Sequence, residues 1–452
     1  MIYRIFPTKD TWVTNQYLLP LTTRMTGANV GQSEELQVFK APGISGAIGS
    51  LGSSSLGRSF LQFDFSKFQQ LTASGDIPVA GGTFTLRINH KTHGDTLPFS
   101  FDLLILPISS SWDEGRGIDI KLGDVGVCNW EKRTSAAYWN AFGGDFLSAS
   151  VTSSHFDTGY ENIESDITNL VNSWNSGTVP NNGVAIAMTS TLESDSNYGN
   201  YYVKKFYSRH SDYEDRRPYV EFRVNDFLGD DRANMQWART GTLYVYNVVG
   251  GQYSDLSGQV VMTISDASGV LLNVTASHGT TGIYSASFAL QTGSYSGSVF
   301  YDSWRAGSAA LVTSSFTIAP RSISTTLTQN VLTARMRNMQ TEYEPEDVEL
   351  FEVFFRKRNH TVPVLTTASL NTAPYIVENA YYAIENDSTR ERVVPFGTGS
   401  QSHTRLSYGG NGNYFRFHMS NLNSGNVYRV LFLVTEQGRN QTIDPGFRFK
   451  IA

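Results

Sequence analysis

The sequence has little cysteine: Cys128 is the only one among 452 residues. A single thiol excludes disulfides within the chain, and it excludes a metal site made of four cysteine ligands. Because Cys128 lies close to Trp130 in the sequence, we expect it to be a small buried side chain and not a reactive nucleophile.

Charge is also scarce. Charged residues make up 17% of the chain, and the formal net charge is −6. Proteins that bind nucleic acid usually carry a strongly basic surface, whereas the basic clusters here are as short as Arg356–Arg358. We therefore expect no nucleic-acid partner. The hydrophobic fraction of 40% is typical of a globular protein.

Long apolar runs are missing as well. No stretch approaches the ~20 apolar residues that a membrane-spanning helix needs, so we expect no membrane insertion. The first residues, Met1–Pro7, do not resemble a signal peptide, because they lack an apolar segment followed by a small-residue cleavage site. We expect a protein that is made in a cytoplasm and either stays there or leaves without a signal.

Strand patterns, by contrast, are abundant. Aromatic residues reach 13% of the chain, and apolar and polar residues alternate in segments such as Ser59–Phe65 and Thr83–Asn89. This two-residue period is typical of half-buried β-strands.

One segment breaks the strand pattern with apolar residues at helical spacing, namely Ile167, Leu170, Val171 and Trp174. Ser165 or Asp166 can cap the start of such a helix, and Gly177 can end it. We predict one short helix here.

The chain is long enough for about three domains. The strand pattern lapses at residues 225–240 and 320–328, which predicts two linkers. We predict an all-β protein: a jelly-roll-like β-sandwich with one short helix at residues 1–224, followed by two smaller immunoglobulin-like β-sandwiches at 241–319 and 329–452.

Motifs that carry catalysis are not found. The sequence contains no G-x-S-x-G elbow after a strand, no P-loop and no HExxH. His90 and His93 lie three residues apart on a strand end or turn, where they do not share a face, so we do not favour a metal site there. We expect no enzyme activity and no cofactor.

Three acidic residues form a weak calcium candidate: Asp113, Glu114 and Asp119. Carboxylates in a loop can collect Ca²⁺, but the spaced ligands and the glycine of an EF-hand loop are missing. Solvated loop carboxylates are the alternative that we favour.

Three tryptophans in loop-rich sequence form a candidate carbohydrate site: Trp112, Trp130 and Trp139. Exposed aromatic rings can stack on the C–H faces of sugars. The alternative, which we favour, is that these side chains anchor a long loop to its own domain.

An ordered series of motifs runs through residues 1–224: Pro7–Val13, Arg58–Phe65, Ser111–Gly115, Asp166–Trp174, Pro180–Gly183 and Phe206–Arg209. Together they resemble the DNRLRE-type domain, a β-sandwich family found in extracellular and cell-wall proteins and related to carbohydrate-binding modules. The resemblance implies a scaffolding or binding module. It also implies that Asp10 and Asp166 are structural caps and not ligands.

A second series of motifs lies in the last third of the chain: Tyr343–Leu350, Phe354–Arg356, Tyr381–Ile384, Val393–Gly397, Thr404–Ser407, Gly412–Phe415 and Phe447–Lys450. This region resembles the C-terminal region of virion structural proteins from T-even-like marine and cyanobacterial phages. The resemblance implies a role in a capsid, neck or tail.

The leading hypothesis is therefore a structural virion protein of a tailed phage, at the neck, tail or baseplate. It would be assembled in the host cytoplasm, contact other virion proteins and form a homo-oligomer in a symmetric assembly. The alternative is a carbohydrate-binding adhesin or receptor-recognition module whose partner is a host surface glycan. A glycan hydrolase or lyase is the weakest hypothesis.

Overall fold

The computed structural model describes residues 1–17, 24–44, 51–78, 80–120, 124–125, 127–194, 202–293, 295, 297–320, 331–358, 375–436 and 438–452. These residues divide into two compact units. The N-terminal unit comprises Tyr3–Gln69 and Thr83–Phe222, and the C-terminal unit comprises Met1–Ile2, Gln70–Gly82 and Arg223–Ala452.

The elements up to Arg223 are mostly strands. They are β1 (Ile2–Ile5), β2 (Pro7–Thr14), β3 (Ala28–Asn29), β4 (Glu35–Ile44), β5 (Leu51–Phe63), α1 (Ser66–Ala73), β6 (Thr83–Ile88), β7 (Phe101–Pro107), β8 (Asp124–Val125), β9 (Thr152–Phe156), β10 (Ile163–Asp166), α2 (Thr168–Asn175), β11 (Val184–Met188), α3 (Ser190–Ser194), β12 (Tyr202–Tyr207) and β13 (Tyr219–Arg223). One sheet has the strand order β1-β13-β6-β10, and the other has the order β12-β4-β5-β11-β7-β9, with β2 also paired to β5.

Burial in these sheets follows the alternation seen in the sequence. In β6, Phe84, Leu86 and Ile88 are buried, while the residues between them are partly exposed. β7 alternates in the same way. In β11 all five residues are buried, so both faces of this strand are covered. Successive side chains of a strand point to opposite faces, so this alternation produces one apolar face for each sheet to pack on.

The predicted helix is confirmed as α2, and its residues Leu170, Val171 and Trp174 are buried. It begins later than the sequence suggested, because β10 extends through Asp166. The Asp166 carboxylate accepts a hydrogen bond from the Thr168 N–H at 2.8 Å. The chain leaves the helix at Gly177, whose φ of +72° favours glycine.

The prediction of a single helix was incomplete, since the described part of the chain contains α1 and α3 as well. Helix α1 buries one side chain, Phe68. The Phe68 ring packs on Phe84 and Phe222, with ring centroids 5.3 and 4.9 Å away. One apolar anchor does not produce a periodic pattern, so this helix was not predictable from the sequence.

The strands after Arg223 fall into two groups. The first group is β14 (Gly241–Tyr246), β15 (Val248–Val249), β16 (Gln252–Tyr253), β17 (Val260–Asp266), β18 (Gly269–Thr275), β19 (Ser277–Thr280), β20 (Ile283–Phe288), β21 (Val299–Ala306) and β22 (Ala309–Thr317). They form a three-stranded sheet, β14-β20-β19, and a four-stranded sheet, β18-β17-β21-β22, with β15 and β16 paired separately. Leu243, Met262 and Trp304 lie in their shared core.

The second group is β23 (Leu332–Arg337), β24 (Glu342–Tyr343), β25 (Val348–Lys357), β26 (Ala380–Asn386), β27 (Arg392–Val394), β28 (Ser407–Gly409), β29 (Gly412–His418), β30 (Val427–Glu436), β31 (Arg439–Ile443) and β32 (Arg448–Ile451). One sheet has the order β23-β25-β29-β28, and the other has β24-β32-β30-β26-β27 with β31 on β30. Rings fill the core; Tyr382 stacks on Phe415 at 4.3 Å.

The segment at residues 225–240, predicted as a linker, is structured. Asp231–Ala233 form a 3-10 turn, and Met235 belongs to the core of the first group of strands. The Met235 carbonyl accepts a hydrogen bond from the Ala319 N–H at 2.9 Å. The second predicted linker, at 320–328, lies outside the described residues except for Pro320. The three-domain division stays a prediction.

The turn before β11 generates a test of the N-terminal unit. Gly183 has a φ of +86°, and a Cβ at this position would overlap the Leu61 carbonyl oxygen. We expect Gly183→Ala to destabilise the fold by on the order of 3 kcal/mol, since it combines backbone strain with a clash. Gly177→Ala is the matched control: its φ is +72° but its surroundings are open. It should cost about 1 kcal/mol. Equal losses in urea unfolding would contradict the predicted clash.

Candidate functional site

The three candidate tryptophans are not exposed. Trp112, Trp130 and Trp139 retain 1%, 7% and 3% of their accessible surface. They form a cluster with Phe60 and Cys128. A ring that stacks on a sugar must present a face to solvent, so the carbohydrate-binding interpretation of these residues is not supported. The structure agrees instead with the alternative, in which they anchor a long loop.

The anchoring is specific. The indole N–H of Trp112 donates to the Asn182 carbonyl at 2.9 Å, and that of Trp139 donates to the Asn129 carbonyl at 3.0 Å. Both indoles meet the ring of Phe60 edge to face, at 5.9 and 5.7 Å. Each buried N–H therefore has a partner, and the loop that carries these residues is held against β5.

Cys128 lies inside the same cluster and is fully buried. Burial raises the pKa of its thiol well above the usual value. A thiolate is the reactive form of cysteine, so this environment makes the side chain inert.

The three calcium candidates do not meet in one place. Asp113 and Asp119 are exposed, while Glu114 lies beside Asp10 and His210. These last three residues each place one ligand atom within 4.8 Å of the others, the spacing of a metal site. This cluster was not predictable from the sequence, because its members lie more than 90 residues apart along the chain.

An arginine fills this cluster. Arg209 donates from Nε and Nη2 to the two carboxylate oxygens of Glu114, both at 2.7 Å. Its backbone N–H donates to Asp10 Oδ2 at 2.6 Å, and the Asp10 N–H donates to Glu114 Oε1 at 2.8 Å. A cation would have to displace the guanidinium, so these residues do not fit a metal ion. They join β2 to two loops through an internal ion pair.

Burial dominates the electrostatics of Asp10. It raises the pKa of the carboxyl to about 7, and the nearby charge of Glu114 adds to the effect, while the Arg209 N–H opposes it. The resemblance implied that Asp10 is a structural cap, and its contact with the backbone of Arg209 is of that kind.

A second cluster surrounds Lys204, which is fully buried. Its Nζ lies 2.5 Å from the Gly159 carbonyl oxygen, 2.8 Å from that of Glu161 and 3.0 Å from His90 Nδ1. Burial lowers the pKa of Lys204 to about 7. The ring centroids of His90 and His93 are 5.6 Å apart, but the ammonium beside His90 disfavours a metal ion there.

A polar groove of about 470 Å³ lies beside this cluster. Its lining residues are Ser153, Ser154, His155, Glu161, Asn162, Glu164, Ser165 and Asp166. It follows β9 and β10, which are edge strands of the two sheets. Tyr160, next to Glu161 in the chain, is 61% exposed. The groove was not predictable from the sequence, because serines and acidic residues on edge strands form no motif.

Hydrogen bonds order the loop at the end of the groove. Although burial acts to raise the pKa of Glu161, hydrogen bonds from the Thr158 hydroxyl and from the backbone N–H groups of Thr158 and Gly159 lower it to about 2. Glu161 is therefore a carboxylate at neutral pH, and its side chain supports the loop that leads to the groove.

No protein-family model matches the chain, and no curated protein matches it. Escherichia coli alpha-2-macroglobulin activated by porcine elastase is similar over 50% of this chain and 20% of its own length, at 13% identity and a TM-score of 0.19. The tandem Ig domains of titin are similar over 48% of this chain and 89% of their own, at 8% identity and a TM-score of 0.15.

A tetra-tandem repeat from the extending region of a large adhesion protein is similar over 98% of this chain and 99% of its own, at 11% identity and a TM-score of 0.16. TM-scores this low carry no information on function. The strand pairing itself defines the class: this is an all-β protein of sandwich domains, and the strand order of the second group of strands after Arg223 is immunoglobulin-like. In the described residues, no helix is both long and apolar enough to cross a bilayer.

The buried carboxyl of Asp10 generates a pH prediction. Its pKa is about 7 in the folded chain against 3.8 when unfolded, so the folded state holds the proton more tightly. This contribution to stability is present below pH 4 and is lost as the pH rises to 7. The free energy of unfolding is measured for the native chain and for Asp10→Asn. The native value minus the variant value should fall by about 4 kcal/mol between about pH 4 and pH 7. Urea titrations at several pH values measure it.

Asp113→Asn is the control for this experiment, because Asp113 is an exposed neighbour of the same cluster. It should leave the pH profile of the native chain unchanged. A native-minus-Asp10→Asn difference that stays flat from pH 4 to 7 would show that Asp10 is ionised in the folded state throughout.

Proposed function

We propose that this chain is a non-enzymatic structural protein of a tailed-phage virion, at the neck, tail or baseplate. It acts through contacts with other virion proteins and is assembled in the host cytoplasm. Such a protein needs broad surfaces for protein contacts and no catalytic centre. Each of the two clusters of titratable groups contains a basic side chain, Arg209 or Lys204, that forms hydrogen bonds within the chain. Both clusters are therefore consistent with a structural role.

The observation that carries the proposal is an uncharged area in the middle of one face of the sheet β18-β17-β21-β22; the exposed Arg305 lies in the adjoining row of that face. Side chains that share a face lie in register across the four strands. Two rows cross the middle of this face, formed by Val270, Ser265, Tyr301 and Ser315 and by Asn273, Thr263, Ser303 and Thr313. We call these two rows the uncharged face.

Apolar side chains on the uncharged face remain open to solvent. Val270 is 65% exposed and Tyr301 is 42% exposed. Soluble proteins usually cover such sheets with charged residues, whereas the centres of protein interfaces are depleted in charge and enriched in tyrosine. The uncharged face thus has the chemistry of a surface that is covered in an assembly.

Mass spectrometry of salt-washed particles tests this proposal, using the phage that encodes the chain. We expect the chain at a fixed copy number per particle, and its absence from washed particles would overturn the proposal. Tyr301→Asp places a charge on the uncharged face and should lower incorporation several-fold, because a desolvated carboxylate is costly. Tyr213→Asp, on a side chain that is 67% exposed in the N-terminal unit, is the matched control.

The polar groove supports a second candidate function, carbohydrate binding by the N-terminal unit. Hydroxyl, amide and carboxylate groups line the groove, and these groups form the hydrogen bonds that sugars need. The exposed ring of Tyr160 lies next to a lining residue in the chain. The site differs from the tryptophan site that the sequence suggested, but the partner, a host surface glycan, is the same.

Calorimetry with host surface polysaccharide tests this second candidate on the full chain. Tyr160→Ala should weaken binding about tenfold, the effect of losing one stacked ring. Tyr138→Ala is the control, since this ring is equally exposed, at 60%, and is not next to any lining residue in the chain. No heat of binding to the native chain, or equal effects of both variants, would remove this candidate.

A further inference from the structure

Strand β22 is an edge strand of nine residues, the last in the order β18-β17-β21-β22. In an antiparallel edge strand, every second residue directs its N–H and C=O away from the sheet. Among the described residues, no backbone hydrogen bond joins Val312–Thr317 to anything except β21. One side of β22 is therefore available for pairing.

Several other edge strands in the described residues carry features that block pairing. β18, at the other edge of the same sheet, is uncharged but has a bulge at Leu271 that leaves a regular ladder of only Leu272–Thr275. β12 contains Lys204 and Lys205, β23 contains Arg335 and Arg337, and β28 is three residues long. Charge and short length are the usual protections of an exposed edge. β22, with the sequence AALVTSSFT, has neither charge nor proline.

β14 is another uncharged edge strand, but other parts of the chain contact it. The backbone N–H of Thr242 donates to Asp231 Oδ2 at 2.8 Å. Tyr246 forms a hydrogen bond with Tyr414, in the second group of strands. Other parts of the same unit thus contact β14, whereas, in the described part of the chain, the segment before β14 pairs beside β22 only past the end of that strand, at Ala319.

The open part of β22 has defined limits. A register shift between Trp304 and Arg305 leaves Leu311 without a partner on β21, so the regular ladder covers Val312–Thr317. Beyond it, the Ala319 N–H is taken by Met235. Val312 shares a face with the buried Trp304, yet it is 44% exposed, so its side chain is left uncovered.

We propose that β22 pairs antiparallel with β22 of a second copy of this chain, about a two-fold axis, so that two four-stranded sheets join. This inference rests on the proposed assembly role and names one partner within it. We choose a second copy of the chain as the partner for two reasons. β22 has no charged residue, so two β22 strands do not repel each other. An antiparallel pair of identical strands also satisfies two-fold symmetry.

The side chains select a register centred on Ser314. In this register Val312 lies opposite Phe316 of the second copy on the inner face. Phe316 is buried in the core of its own copy, so the apolar side chain that gains cover from the pairing is the exposed Val312. Thr313 lies opposite Ser315 of the second copy, so hydroxyl groups meet on the outer face. Both kinds of cross-strand pair stabilise antiparallel sheets.

The oligomeric state of the purified full chain tests the pairing, by sedimentation and light scattering. We expect a dimer at micromolar concentration. Ser315→Lys should raise the dissociation constant at least about tenfold, since a lysine on an edge strand opposes pairing. Thr275→Lys, an exposed position on β18 at the opposite edge of the same sheet, should leave the dimer intact.

A compensating variant tests the register. Adding Thr313→Glu to Ser315→Lys places each lysine opposite a glutamate of the second copy and should restore the dimer. Adding Thr317→Glu instead places the glutamate at the same distance from the introduced lysine in the sequence, but not opposite the introduced lysine of the second copy. This variant should not restore the dimer. Thermal melting of each variant shows whether a loss of dimer is a loss of fold; a folded Ser315→Lys chain that remains dimeric overturns the proposal.

Two other results also overturn it. A native chain that is monomeric throughout has no such pairing, whereas the virion role is decided separately by detection in particles. Loss of the dimer in both Ser315→Lys and Thr275→Lys would show head-to-tail pairing of β18 with β22, which does not close about a two-fold axis.

Discussion

A chain built from open β-sheets must provide for the edges of those sheets, because their outward N–H and C=O groups pair with any strand that approaches. This chain has one cysteine, and the helices in its described residues are short, so neither disulfides nor these helices protect the edges. Charged residues protect β12 and β23. The polar groove follows two further edges, β9 and β10, which carry His155, Glu164 and Asp166. β22 lacks any such protection, and the proposed pairing follows from that difference.

The need to fix the pairing of edge strands also accounts for the buried charges. Lys204 lies on an edge strand and points inward, where backbone carbonyls replace its hydration. Arg4 on β1 meets Glu221 on β13 at 3.0 Å, with both side chains buried. Buried ions contribute little net stability, because desolvation offsets their attraction. A register shift would leave such an ion unpaired at a large cost, so these contacts favour one strand register over its alternatives.

The sequence predicted what depends on local pattern and missed what depends on distant contacts. The alternation in β6 and the helical spacing of Leu170 and Val171 are local, and both were confirmed. Helix α1 depends on Phe68 meeting Phe222, 154 residues away. The acidic cluster depends on Glu114 meeting Arg209. Trp112 lies in loop-rich sequence but is buried, since burial of a loop residue is set by what folds over it.

The two surfaces of the four-stranded sheet are coupled in the proposed assembly. The uncharged face includes Ser315 and Thr313, which lie on β22 itself. Pairing of two β22 strands in register would therefore join two uncharged faces into one continuous surface. A partner that contacts this surface in the virion would meet both copies at once, and two linked contacts bind far more tightly than one. Edge pairing thus stabilises a dimer and also doubles the surface on which the proposed virion contacts depend.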